Sequence, residues 1–204
     1  MKQRKHWDAV YRSKKPDAVS WYQPHLETSL RLICDAAQDL SASIIDVGGG
    51  ESTLVDDLLE RGYRDLTVLD VSSTALEFSR SRLGARGAGV MWLEADITSV
   101  QLPESRYDVW HDRAVFHFLT ETSQRKSYVR TLRHALKPAG CVVLATFGPQ
   151  GPEKCSGLDV VRYDGQDLAA ELGTGFELET SFLEEHVTPT QERQQFLYCT
   201  FRKR

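Results

Sequence analysis

Several signatures that would classify a chain at a glance are missing from these 204 residues. Cys34, Cys141, Cys155 and Cys199 are scattered, without CxxC spacing or a histidine partner motif. That pattern excludes a disulfide framework and a zinc site, so no metal is expected, and it suits reduced thiols in the cytoplasm. No apolar run approaches the roughly 20 residues of a membrane span. The first seven residues are charged and lack the apolar stretch of a signal peptide. Basic charge is not in excess either: 25 Lys and Arg stand against 29 Asp and Glu, a net charge of −4. The general electrostatic reason to expect a nucleic-acid partner is therefore absent. Internal repeats, low-complexity tracts and a second-domain boundary are also missing, so one domain over 1–204 is expected. What remains is an ordinary composition, 41% hydrophobic and 26% charged, long enough to bury a sizeable core.

The informative stretch runs from Ser43 to Ser52, Ser-Ile-Ile-Asp-Val-Gly-Gly-Gly-Glu-Ser. Ile44, Ile45 and Val47 read as a buried strand, and Gly48, Gly49 and Gly50 release the chain into a tight turn. A helix is expected at once, with Thr53 and Asp56 as a capping box and Gly62 as its stop. Strand, glycine turn and helix N-terminus together let backbone approach a ligand and aim N–H groups at it. A dinucleotide fingerprint would ask for Gly-x-Gly-x-x-Gly, but Thr53 stands at the third glycine position. Asp46, two residues before the first glycine, is ill suited to an anionic pyrophosphate. It suits a cation.

Strands and helices alternate along the rest of the chain. An N-terminal arm carries Trp7, Tyr11, Trp21 and Tyr22, with His6, Trp7, Val10 and Tyr11 at helical spacing, and a helix follows from Leu26 to Leu40. Strands are expected at Leu66–Leu69 ending on Asp70, at Val90–Leu93, at Tyr107–Trp110 and at Cys141–Phe147. Helices are expected from Thr74, with a second capping box to Glu77, and over residues 122–136. After a Gly- and Pro-rich loop at 148–157 come a short helix near Gln166–Leu172 and two alternating segments, Phe176–His186 and Arg193–Arg202. The expected fold is α/β, a doubly wound and mostly parallel sheet with helices on both faces and a C-terminal antiparallel hairpin. The arm and first helix occupy 1–40, the ligand-binding core 41–147, and the loop, helix and hairpin 148–204.

These residues resemble the class I S-adenosylmethionine (SAM)-dependent methyltransferases. Asp46, Gly48 and Gly50 match the first motif of that family, and Asp70 matches its acid at the end of strand two. Asp96 with Ile97 matches the acid and apolar neighbour after strand three, and Leu136–Gly140 resembles the turn before strand five. The resemblance implies SAM as cofactor and S-adenosylhomocysteine as product. It implies that Asp46 attracts the amino end, with Gly48, Gly49 and Gly50 close to the methionine part. Asp70 would then accept from the ribose hydroxyls, Asp96 would accept from the adenine amine, and Val71 and Ile97 would sandwich the ring.

The acceptor side is expected in the loop after strand four, beyond the carboxyl ends of the strands. His111, Asp112 and His117 are the catalytic candidates there, for a proton that must leave the acceptor, and His111 is also a candidate beside the cofactor. Asp112 and Arg113 could instead form an ion pair that shapes the loop, and either histidine could be a packed core residue. Trp21 and Tyr22 could close over a ligand. Cys155 would face an entering acceptor, as an inert thiol or a reacting one. The loop lacks the Asn/Asp-Pro-Pro-Tyr pattern of nucleic-acid base methylation. Asp112-Arg113-Ala114 is similar to thiopurine-type small-molecule enzymes, whereas Trp7-Asp8 and Trp21-Tyr22 are similar to a lysine-methylating subgroup. A small-molecule acceptor is the expectation, with no nucleic acid and no membrane as partner. A protein-lysine methyltransferase and a non-catalytic SAM-binding module are the alternatives.

Overall fold

The computed structural model describes residues 2–204. Helices α1 (Lys2–Ser13) and α2 (Glu27–Ala36) precede the sheet. Strands β1 (Ile44–Val47), β2 (Leu66–Asp70), β3 (Met91–Glu94), β4 (Tyr107–Arg113) and β5 (Leu136–Phe147) then alternate with α3 (Leu54–Glu60), α4 (Ser73–Leu83) and α5 (Thr122–Ala135). A two-stranded ladder, β6 (Lys154–Cys155) with β7 (Leu158–Asp159), was not legible in the Gly- and Pro-rich loop. Helix α6 (Gly165–Leu172) leads to the hairpin of β8 (Phe176–Val187) and β9 (Arg193–Lys203).

The main sheet runs β3-β2-β1-β4-β5-β9-β8. Its first five strands are parallel, and β9 and β8 add to the edge in antiparallel register. All four residues of β1 are buried because helices cover both faces of the sheet. On one face Leu30, Ile33, Leu54, Leu58 and Leu76 of α2, α3 and α4 meet Ile44, Val68, Val109 and Val143. On the other, Tyr128 and Leu132 of α5 and Leu168 of α6 meet Ile45, Trp110, Val142 and Leu197. Connections reverse direction between β1 and β4. That reversal opens a crevice at the carboxyl ends of these two strands.

The structure corrects three local expectations. Strand β4 continues through His111, Asp112 and Arg113, so these residues are not in a loop. Each of their side chains finds at least one partner beside the sheet: Asp46 for His111, Tyr128 for Asp112 and Tyr198 for Arg113. Asp112 and Arg113 therefore point to opposite faces and form no ion pair. The caps also differ. Thr53 makes no side-chain cap and its hydroxyl donates to the carbonyl of Pro24, while the Ser52 hydroxyl accepts from the N–H of Leu54. Asp56 is drawn away from the helix start to Arg82 at 2.7 Å. Helix α4 is capped by Ser72, whose hydroxyl accepts from the N–H of Ala75, two residues before the expected Thr74.

Candidate active site

The glycine turn leaves β1 and folds against β2, with the Gly48 N–H donating to the carbonyl of Leu69 at 2.6 Å. Gly50 has φ +45°, and a Cβ there would lie 2.7 Å from the Tyr11 hydroxyl and 3.0 Å from Asp70 Oδ2. The missing side chain therefore lets Tyr11 and Asp70 pack directly against the turn. Three carboxylates stand around it at the ends of successive strands.

Asp46 is paired across the β1–β4 ladder with His111. His111 Nδ1 donates to Asp46 Oδ1 at 2.7 Å, and its Nε2 meets the Ser29 hydroxyl of α2 at 2.9 Å. This buried chain orients one carboxylate oxygen, while Oδ2 lies toward Gly49. Asp70 is buried, and burial is the main force pushing its carboxyl up to about 7, aided by the charge of Asp46. Backbone N–H groups of Ser72, Val71 and Gly50 pull the other way. Asp96 uses Oδ1 to accept from the Thr98 N–H and hydroxyl, fixing the turn after β3.

A cleft of about 870 Å³, measured to its open mouth, joins these elements. Its inner part is lined by Gly48, Asp70, Val71, Asp96 and Ile97, and its outer part by Trp7, Trp21, Phe118, Phe147, Phe196 and Arg113. A side recess between the arm and the turn holds Asp46, Gly49, Glu51 and His111, and also touches Trp21 and Arg113. Gly50 backs the cleft through its contacts with Asp70 and Tyr11.

Asp112 and His117 line neither space. Asp112 faces α5, where its carboxylate accepts from the Tyr128 hydroxyl at 2.6 Å and from the N–H of Val115 at 2.8 Å. Burial raises its pKa to about 6 despite these bonds. His117 is fully buried between Phe118 and Phe147, with ring centroids 4.6 Å from each. Its Nδ1 accepts from the Phe147 N–H, and burial with nearby Arg113 lowers its pKa to about 3, so the ring is neutral. Both residues shape the wall from behind. Tyr128→Phe tests this division of labour. It strips partners from Asp112 and from the Trp110 indole N–H, which donates to the same hydroxyl at 2.9 Å. Urea denaturation should show a loss of about 1–3 kcal/mol, with cofactor affinity retained.

Tyr11 and Glu51 are among the lining residues that the sequence does not single out as site residues. Tyr11 has the right i+4 spacing from Trp7, and that spacing was the available signal. Glu51 was passed over because a charged residue after a glycine turn reads as exposed. Its Oε2 is buried without a partner among the described residues, and burial raises its carboxyl to about 7, with Arg82 opposing.

Residues 44–140 match the methyltransferase-domain family. That match spans just under half of the chain, and the sheet and helices built around it have the methyltransferase fold. EEF1A lysine methyltransferase 2 of Homo sapiens is 25% identical over 200 residues, spanning 91% of this chain and 77% of that protein. The eEF1A lysine and N-terminal methyltransferase of Mus musculus is 22% identical over 141 residues, 68% of this chain and 19% of that longer protein. Among solved structures, the 1,6-didemethyltoxoflavin-N1-methyltransferase of Burkholderia thailandensis shares the fold, with a TM-score of 0.74 and 19% identity. That comparison covers 98% of this chain and 87% of the other. Solved neighbours that share this fold hold S-adenosylhomocysteine.

The site's own chemistry fits SAM. The turn is surrounded by Asp46, Asp70, Glu51 and Asp96, and among the described residues that line the cleft and recess Arg113 is the only Lys or Arg side chain. A phosphate-bearing ligand would meet repulsion there, whereas a sulfonium and an ammonium would not.

Proposed function

We propose that this methyltransferase acts on a small, flat organic acceptor, with Asp46 and Gly48–Gly50 at the methionine part, Asp70 at the ribose and Asp96 with Val71 and Ile97 at the adenine. One observation carries the acceptor reading. The outer cleft is roofed by α1, whose Trp7 lies edge-on to Trp21 at 5.8 Å and to Phe118 at 5.0 Å. Asp8 accepts from the Ser72 hydroxyl at 2.6 Å, and Arg4 pairs with Glu94, so the roof is tied to the sheet on the cofactor side. Rings on several sides favour a ring between them over an extended polypeptide.

SAM supplies a methyl group already activated on sulfur for in-line displacement. The chain's contribution is alignment and exclusion of water. Burial pushes the Cys155 thiol and the Tyr11 hydroxyl above their usual values, and His117 is neutral behind the wall. The aromatic chamber therefore offers no ready general base near neutral pH, and an acceptor that arrives deprotonated suits it best. His111 and Asp112 then act as positioning residues, the first through Asp46 and the second through the turn at Val115.

A protein-lysine acceptor is the second reading, favoured by the similarity to the human lysine methyltransferase across 91% of this chain. Incubation with radiolabelled SAM and a panel of thiols, amines and phenols, alongside a cell lysate, separates the two. Label in the small-molecule fraction is expected; label confined to protein overturns the proposal. Trp7→Ala should raise the KM of the acceptor that emerges by about tenfold, with kcat less affected, because the roof binds acceptor in ground and transition states alike. Steady-state kinetics check this.

A further inference from the structure

Arg113 is held in an unusual way. Its Nε donates to the Tyr198 hydroxyl at 3.2 Å and its Nη1 to the carbonyl of Trp21 at 3.0 Å. The guanidinium carbon lies 4.4 Å from the centre of the Phe196 ring, and the group is thereby fixed on three sides. Nη2 is buried and finds no hydrogen-bond partner among the described residues. Carboxylates commonly pair with buried arginines, yet none among the described residues pairs with this one. The residue as a whole is half-buried, but a guanidinium nitrogen shut away from solvent without a partner is costly unless something completes it. The side chain lines both the aromatic cleft and the recess beside the glycine turn, so what completes it can come from solution.

Topology indicates which side of the reaction this donor serves. The carboxylates suited to SAM stand at the ends of β1, β2 and β3. Arg113 ends β4, pairs in register with Ala145 of β5, and is anchored through Tyr198 and Phe196 of β9. It therefore lies across the switch point from Asp70 and Asp96, on the side of Phe147 and Cys155.

Resting on the methyltransferase reading above, we propose that Arg113 is the seat for an anionic group of the acceptor, a carboxylate or phenolate on an aromatic ring. A planar guanidinium with an unmatched Nη2 suits an anionic oxygen, and the surrounding rings suit the body that carries it. An ammonium acceptor would meet the same guanidinium as a like charge. The proposal thus selects acidic aromatic molecules and disfavours lysine. The methionine carboxylate of SAM presents the same chemistry, and the experiment must tell the two sources apart.

Calorimetry on the full chain does so, with wild type, Arg113→Met and Arg113→Lys. Each is first titrated with S-adenosylhomocysteine, then the saturated protein is titrated with benzoate and 2-naphthoate against the neutral benzamide and 2-naphthamide. The expected result is at least a tenfold preference of wild type for the carboxylates. Arg113→Met should abolish that preference and Arg113→Lys should restore part of it, with S-adenosylhomocysteine affinity within threefold of wild type in both. Equal or absent binding of acid and amide to wild type overturns the proposal, as does a preference that survives in Arg113→Met. A tenfold or greater loss of S-adenosylhomocysteine affinity in Arg113→Met, without any carboxylate preference in wild type, assigns the guanidinium to the cofactor and equally overturns it. Failure of wild type to bind S-adenosylhomocysteine at all would instead strike the methyltransferase reading, and the first titration reads that separately.

Discussion

Gly50→Val abolishes cofactor binding, with S-adenosylhomocysteine affinity falling at least about 100-fold in calorimetry. Two effects act at the same position. Gly50 has φ +45°, where a β-branched residue is a genuine outlier. Its added side chain would also collide with the Tyr11 hydroxyl and the Asp70 carboxylate and push the proposed ribose partner out of place. Gly50→Ala keeps the strain but adds less volume, so its loss should be smaller. Both variants should be checked by circular dichroism, because a substitution that unfolds the turn would lose binding trivially. A folded Gly50→Val that binds with wild-type affinity would show that no close approach is made there.

The second large effect is a pH dependence of cofactor affinity centred on Asp70. Burial raises this carboxyl from 3.8 to about 7, so the free protein holds a proton that the unfolded chain would lose. The sign follows directly. Asp70's favourable contribution to the stability of the free protein is fully present below about pH 4. It is lost progressively as pH rises to about 7. Two sugar hydroxyls donating to the carboxylate favour its charged form, so binding lowers the pKa and expels a proton. S-adenosylhomocysteine should accordingly bind more tightly as pH rises from 6 to 8, gaining up to about tenfold per unit below the free pKa and levelling off above it. Proton release should appear as a buffer-dependent binding enthalpy. Asp70→Asn should weaken binding and flatten the profile. A profile that stays steep in Asp70→Asn would move the titration to another group, Glu51 being the next with a pKa near 7.

The cofactor side was legible in the sequence because its logic is local. A buried strand that ends in glycines, and acids that directly follow apolar runs, declare themselves within ten residues, and Asp46, Asp70 and Asp96 lie at the strand ends where that reasoning put them. The acceptor side depends on contacts across the chain. His111 looked like a loop residue because its partners, Asp46 and Ser29, lie 65 and 82 residues away. Asp112 and Arg113 looked like a pair because adjacency in sequence hides the alternation of a strand. Arg113 meets Tyr198, 85 residues distant, and no spacing rule anticipates that contact. The caps at Ser52 and Ser72 were misplaced for a related reason. Thr53 was drawn to the Pro24 carbonyl of the arm, a tertiary bond that overrides a local preference.

These features share one premise, that the glycine turn and its ring of acids hold a phosphate-free, positively charged nucleoside. Calorimetry of the full chain with SAM and with NAD tests it most directly. The expected result is one SAM per chain and no binding of NAD; binding of NAD with no binding of SAM would contradict it.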